Sequence, residues 1–306
     1  MSKKIVFMGT PKFSIKTLEA LEKSSYEIVC VYTQPPKKSA RGQNINPSPI
    51  QIIAERLSLK VRSPNNLDSE EELKYFKSLN PYIAIVVAYG KIIPENYLDI
   101  PEKGFLNIHA SLLPKLRGAA PIQRAIMNMH KESGISFMKI QKDLDTGPCM
   151  MQISTKIHEQ TSSSNLSNEL SNLGAKNIVK CLELIKKNNA NFSEQDHTKT
   201  SYAKKIDKKE SKIMWDQKAD IILAKINGLN PKPGAWFELA GSRYKIWKAK
   251  IINLQGNPGE LINKNMTICC KDKAIQILEI QKEGKKKLSI KDFLKGTKIN
   301  FGKNFT

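Results

Sequence analysis

KKIVFMGTPKFSIKTLEAL, residues 3–21, passes from a short β-branched run through Gly9 into a helix beginning near Ser14. The same grammar recurs downstream. YEIVCVYT (26–33), YIAIVVAYG (82–90) and GFLNIHA (104–110) read as strands, with helices over Ile50–Leu57 and Glu70–Leu79 between them. Strands alternating with helices predict βαβ units and a doubly wound, mostly parallel sheet of Rossmann type. Ligands of such sheets bind beyond the carboxyl ends of the strands. The loops there are MGTP, TQPPKKSARGQ, VAYGKIIP and HASLLPKLRG. Further on come a helix over Ala120–Met129, a strand GISFMKI, the loop QKDLDTGP, a strand CMMQISTKI and a long helix from about Ser164 to Lys187.

Periodicity then fades. Residues 190–208 are polar and read as a linker between a first domain, 1–189, and a second, 209–306. In the second, a helix over Ala219–Gly228 precedes NPKPGAWF and a series of short strands, AWFEL, YKIWKAKII, MTICC and AIQILEIQ, separated by Gly and Asn turns. That pattern predicts a small β-barrel.

Composition narrows the function classes. Formal net charge is +21, and only six of the 50 basic residues are Arg. Such a field attracts a polyanion and speeds encounter with it. No run of eighteen apolar residues occurs, and the opening residues enter a strand without a signal-peptide pattern, so a cytoplasmic protein is expected. The five cysteines contain no C-x-x-C pair, which indicates neither a disulfide framework nor zinc.

Two cofactor chemistries lack their signatures. MGTPKF is not G-x-G-x-x-G, and VYTQPP puts no acid at the end of the second strand, which disfavours NAD. No Walker sequence is present for phosphoryl transfer. GFLNIHASLLPKLRG (104–118) is more telling, because Asn107 and His109 stand two apart on a strand and so face one side. Asp145, in LDTG after the next strand, can converge on them if both loops share a sheet edge. It would orient and charge the imidazole, leaving Asn107 and His109 as donors to an oxygen that becomes negative. No G-x-S-x-G elbow occurs, and Ser111 has no paired base, so direct acyl transfer to an amine fits better than a covalent acyl-enzyme.

NIHASLLPKLRGAAPIQRAI together with LDTG resembles the folate-dependent formyltransferase family. MGTPKFSIKTLEAL, TQPPKKSARGQNINPSPI, VVAYGKIIP, NPKPGAWF and YAKKIDKKESKIMW extend the resemblance nearly end to end, toward members that act on charged initiator tRNA. The resemblance implies a Rossmann-like formyl-transfer domain joined to a C-terminal barrel of the OB type. It implies transfer of the formyl group of 10-formyltetrahydrofolate to the amine of methionine on initiator methionyl-tRNA, by a monomer without metal. Asn107, His109 and Asp145 match the catalytic trio. Ser111, Leu112, Leu113 and Pro114 match the motif that meets the folate, and VVAYG with Asp143–Gly147 would line the pterin pocket. The insertion after the second strand enters the acceptor stem in this family, which gives Lys37, Lys38 and Arg41 a tRNA-binding role.

Three positions depart from the family pattern: Ala40 replaces a common Gly, Leu116 a usual aromatic, and Lys232 a frequent Trp. Sugar-nucleotide N-formyltransferases can share the trio, but the basic insertion and GAAPIQRA argue against that class. Glycinamide ribonucleotide formyltransferase resembles the first domain alone. A non-catalytic RNA-binding protein would not bind folate.

Overall fold

The computed structural model describes residues 3–38 and 45–297. Arg41 lies outside them. The chain forms two compact units: the first comprises residues up to Gly118, Ser133–Thr155 and Ser167–Tyr202, and the second Ala119–Glu132, Lys156–Leu166 and the chain from Ala203 on.

The first unit contains β1 (Lys4–Gly9), α1 (Ile15–Glu22), β2 (Glu27–Tyr32), β3 (Lys37–Lys38), β4 (Ile45–Asn46), α2 (Pro49–Arg56), β5 (Val61–Arg62), α3 (Glu70–Ser78), β6 (Ile83–Val87), α4 (Glu95–Leu98) and β7 (Phe105–His109). After α5 (Pro121–Met127), a helix of the second unit, come β8 (Glu132–Lys139), β9 (Cys149–Lys156) and α6 (Ser163–Lys186). Seven strands form one sheet in the order β5-β2-β1-β6-β7-β8-β9. The pairings from β5 to β7 are parallel, while β8 runs antiparallel to β7. This is the expected doubly wound, mostly parallel sheet. β6 is buried at every position, as a strand covered on both faces must be.

Register brings the working ends level. Gly9 pairs with Val87 and Val86 with Asn107, so β1, β6 and β7 end together. The chain order reverses between β1 and β6, which is the switch point where such sheets open a crevice. Hydrogen bonds tie the loops there: Thr10 Oγ1 donates to the Tyr89 carbonyl (2.8 Å), and Gln34 Nε2 donates to the carbonyls of Tyr89 (3.0 Å) and Gly90 (2.9 Å).

Below that edge the core is aromatic. Phe76 meets Tyr32, Tyr97 and Phe105 at centroid distances of 5.6, 5.1 and 6.0 Å. Ser48 and Ser69 cap α2 and α3 by accepting the backbone N–H of Gln51 and Glu72. Glu72 is buried and bidentate with Arg62, and Tyr32 also donates to it.

The second unit adds α7 (Ala219–Gly228), β10 (Trp236–Leu239), β11 (Ser242–Ile252), β12 (Leu261–Asn263), β13 (Thr267–Cys269), β14 (Ala274–Lys282), β15 (Leu288–Ser289) and α8 (Ile290–Lys295). Its antiparallel sheet runs β10-β11-β14-β13-β12, with β15 on β14. Register shifts at Ile246/Lys248 and Lys248/Ala249 curl the long β11–β14 pair into an OB-like half-barrel. Trp215, Ile222, Ile226, Phe237, Ile246 and Ile277 fill its core. Met127 of α5 packs against this core, and α7 lies so close that a Cβ on Gly228 would come within 2.6 Å of Met127 Cγ.

The stretch expected as a linker is hydrogen-bonded into the first unit through much of its length. Ser193 exchanges two backbone hydrogen bonds of 2.9 Å with Cys149. Ser201 accepts at its carbonyl from Arg117 N–H (2.9 Å) and at its hydroxyl from Leu116 N–H (2.9 Å). Its polar side chains find partners in loops, which a loss of apolar periodicity cannot reveal.

Candidate active site

β7 delivers Asn107 and His109 to one face, while Ile108 turns to the other, against Gly174 of α6. His109 is buried, with one ring nitrogen hydrogen-bonded and the other facing a carboxylate. Nε2 lies 3.0 Å from the Leu116 carbonyl, and since a carbonyl only accepts, Nε2 carries the hydrogen. Nδ1 lies 3.6 Å from Asp145 Oδ2, longer than a hydrogen bond. Oδ2 also accepts the Gly118 N–H at 2.8 Å. The half-buried Asn107 side chain has no hydrogen-bond partner among the described residues.

Backbone strain gathers around these groups. Ala88 (φ 49°), Leu116 (φ 59°) and Asp145 (φ 54°) are all left-handed without being glycine. They lie on the loops that follow β6, β7 and β8. Each costs roughly 1–3 kcal/mol and persists only where surrounding contacts over-determine it. One such contact is at Gly147, where any Cβ would collide with the Lys139 carbonyl, so the Asp145 turn is pressed onto the end of β8.

The Ser-Leu-Leu-Pro motif is built in rather than presented. Ser111 and Leu113 are buried, and Leu112 and Pro114 are partly exposed. Ser111 Oγ donates to the Lys115 carbonyl (2.6 Å), so it is engaged and away from any base. Ser136 ties the motif to β8: its hydroxyl donates to the Ser111 carbonyl (2.7 Å) and accepts the Leu113 N–H (3.0 Å). Gln152 then donates to the Leu113 carbonyl at 2.7 Å. Cys149, near the Asp145 loop, is no nucleophile either. Burial pushes its thiol up to about 11, although Arg117 pulls the other way.

Sequence reasoning missed Ser136, Gln152, Ser201 and Gln195. All four are polar residues whose partners are distant in the chain, and no spacing signals them. A cavity of about 720 Å³, lined by Glu95, Lys103, Phe105, Lys139 and Phe192, opens at the amino end of β7. Four residues of strand, about 13 Å, separate Phe105 from His109, so this cavity is apart from the imidazole, although residues 140–142, which begin the Asp145 loop, line it. No cluster of three or more His, Cys, Asp or Glu placed for a metal ion occurs among the described residues, and no described helix is long and apolar enough to cross a membrane.

In the second unit, a cavity of about 560 Å³ is lined by Lys208, Lys209, Arg243, Lys245 and Trp236. Arg243 stacks over the Trp236 ring at 4.4 Å. Lys37 and Lys38 form a two-residue strand, β3, paired antiparallel with β4.

A family model described as formyl transferase matches residues 3–182, and one described as formyl transferase, C-terminal domain, matches residues 205–298. The chain belongs to the formyl transferase family. It is 49% identical over 308 residues to the methionyl-tRNA formyltransferase of Pelagibacter ubique, covering 100% of this chain and 99% of that one. Identity to the methionyl-tRNA formyltransferase of Bradyrhizobium diazoefficiens is 42% over 311 residues, with 100% of each chain covered. Solved formyl transferase folds are alike in architecture. The N-formyltransferase of Helicobacter canadensis, in complex with folinic acid and dTDP-3-aminofucose, superposes with a TM-score of 0.69 at 20% identity, over 90% of this chain and 99% of that one. HypX of Aquifex aeolicus, in complex with tetrahydrofolic acid, gives 0.64 at 17% identity, over 99% of this chain and 51% of that one.

Proposed function

We propose that the chain transfers the formyl group of 10-formyltetrahydrofolate to the α-amine of methionine on initiator methionyl-tRNA, acting as a cytoplasmic monomer. The observation that carries the reading is His109 facing Asp145 beside the amide of Asn107, which has no partner among the described residues, in a chain 49% identical to a methionyl-tRNA formyltransferase.

The site suits a flat heterocyclic donor. Ile92 (84% exposed) and Leu144 (65% exposed) present apolar surface on the loops after β6 and β8. Leu112 and Pro114, partly exposed, lie on the loop after β7, which the buried Ser111 and Leu113 shape. The folate supplies an activated formyl group on nitrogen. The chain's own residues do the rest. Asn107 donates to the formyl oxygen as it gains negative charge. His109 Nδ1, which carries no hydrogen while Nε2 donates to Leu116, receives through Asp145 the proton released by the attacking amine and delivers it to the departing nitrogen. Asp145 Oδ2 is held by Gly118 N–H, so Oδ1 takes up the proton released by the attacking amine, directly or through water. That amine, with an ordinary pKa near ~7.7, is partly neutral already.

The basic cavity in the second unit supports tRNA as acceptor, since Lys208, Lys209, Arg243 and Lys245 can follow phosphates while Trp236 offers a stacking face. Lys37, Lys38 and Arg41 would add contacts to the acceptor end. Arg41→Ala should cut activity on initiator tRNA while leaving folate binding and thermal stability unchanged, and Arg41→Lys should rescue it in part. The deciding assay offers the protein 10-formyltetrahydrofolate with charged initiator tRNA, and separately a UDP-amino-sugar. Formylation of the sugar in place of the tRNA overturns the reading.

A further inference from the structure

We propose that Gln195 is the positioning residue for Asp145, an inference that rests on the proton-accepting role given to Asp145 above. Gln195 is 7% exposed, and its amide is fully used. Nε2 donates to the carbonyls of Asp145 (2.9 Å) and Gly147 (2.7 Å), on either side of the turn. Oε1 accepts from Arg117 Nε (3.1 Å) and Nη2 (2.6 Å). A flipped amide would set its oxygen against two carbonyls and its NH2 against a guanidinium, so one orientation is specified.

These bonds close a ring. Asp145 Oδ2 accepts from Gly118 N–H. Gly118 follows Arg117, whose guanidinium reaches Gln195, and Gln195 returns to the Asp145 carbonyl. One side chain therefore couples the backbone that aims the carboxylate to the loop whose N–H grips it. Both partners are locked in turn. Arg117 is 2% exposed, its N–H donates to the Ser201 carbonyl, and its Nη2 also reaches His197 Nδ1 at 3.3 Å.

The ring explains how Asp145 holds its left-handed φ of 54°. A Glu at 195 would keep the guanidinium as partner but lose both donors to the turn. An Asn would stop one methylene short. Released, the turn relaxes toward right-handed backbone and the carboxylate leaves the imidazole, a displacement of the kind that costs on the order of 10²-fold in rate.

The experiment is a double-mutant cycle in the full-length protein, by steady-state kinetics with 10-formyltetrahydrofolate and charged initiator tRNA. Gln195→Met and Gln195→Glu should each lower kcat by roughly 10²-fold with KM for both substrates unchanged. In the Asp145→Asn background, Gln195→Met should add nothing, because both act through one carboxylate. Wild-type kcat in a folded Gln195→Met or Gln195→Glu protein overturns the proposal, as do losses that multiply in the double variant. Wild-type turnover in Asp145→Asn overturns the mechanism itself. An Asp145→Asn collapse with an unaffected Gln195→Met overturns this inference alone.

Discussion

The carboxyl edge of the first unit's sheet and the basic cavity of the second unit use side chains in opposite ways. At the edge each group has a fixed address: His109 between two partners, Asp145 on a strained backbone, Asn107 on the matching pleat. In the cavity, Lys208, Lys209, Arg243 and Lys245 share little beyond their sign. The difference follows from what each proposed task tolerates. Stabilising a charge that exists only in a transition state demands placement within fractions of an ångström. Holding a polyanion needs charge at the right density, and any one cation is replaceable.

Substitutions can break that contrast. Asn107→Ala should lower kcat by about 10²–10³-fold, the value of one oxyanion donor, and His109→Ala by about 10²–10⁴-fold, the value of a general acid, while leaving tRNA affinity unchanged. Single-turnover rates and filter binding measure the two halves separately, and weakened binding with normal chemistry would reverse the comparison. Arg62→Met sharpens it from below the edge. Removing the guanidinium leaves Glu72 buried without its cation, which should cost roughly 3 kcal/mol in urea unfolding without altering kcat of the folded protein. In the basic cavity, Arg243→Ala with Lys245→Ala should raise KM for tRNA and leave kcat alone. The slope of log affinity against log salt should fall by about one per lost phosphate contact. A loss confined to kcat would mean that these residues have addresses too.

The smallest effect concerns Glu210, which the bidentate Arg124 holds below the usual carboxylate range through its hydrogen bonds. A depressed pKa contributes stability above the unfolded value near ~4.3, and that stability is lost as pH falls through the folded value. Glu210→Gln should therefore flatten the acid limb of a melting curve below that pH, by about 1 kcal/mol or less for this partly exposed pair.

The same contrast governs what could be read from sequence. Strands and helices of the first sheet were legible because buried runs and caps are local. Asn107 and His109 were legible because a strand's period of two puts them on one face; the convergence of Asp145 was not, since β8 runs antiparallel to β7 and its loop leaves from the amino end of β7 before returning to His109. The left-handed backbones at Leu116 and Ala88 were not, since neither residue type favours that conformation. Nor was Gln195, in a polar stretch whose meaning depends on carbonyls about fifty residues earlier. Nor was the membership of α5, where a helix between two strands of one sheet packs with a core built from the chain's last hundred residues.

That membership bears on how the protein is made. The chain passes back and forth between its two units, so no single cut separates them. Synthesis is vectorial, and α5 emerges from the ribosome about 100 residues before α7 is complete. At roughly 5–20 residues per second, Met127 and its apolar neighbours wait about 5–20 s for the partner that covers them. The second unit therefore cannot close until the chain has been made through α8, and the nascent helix needs shelter in the interval.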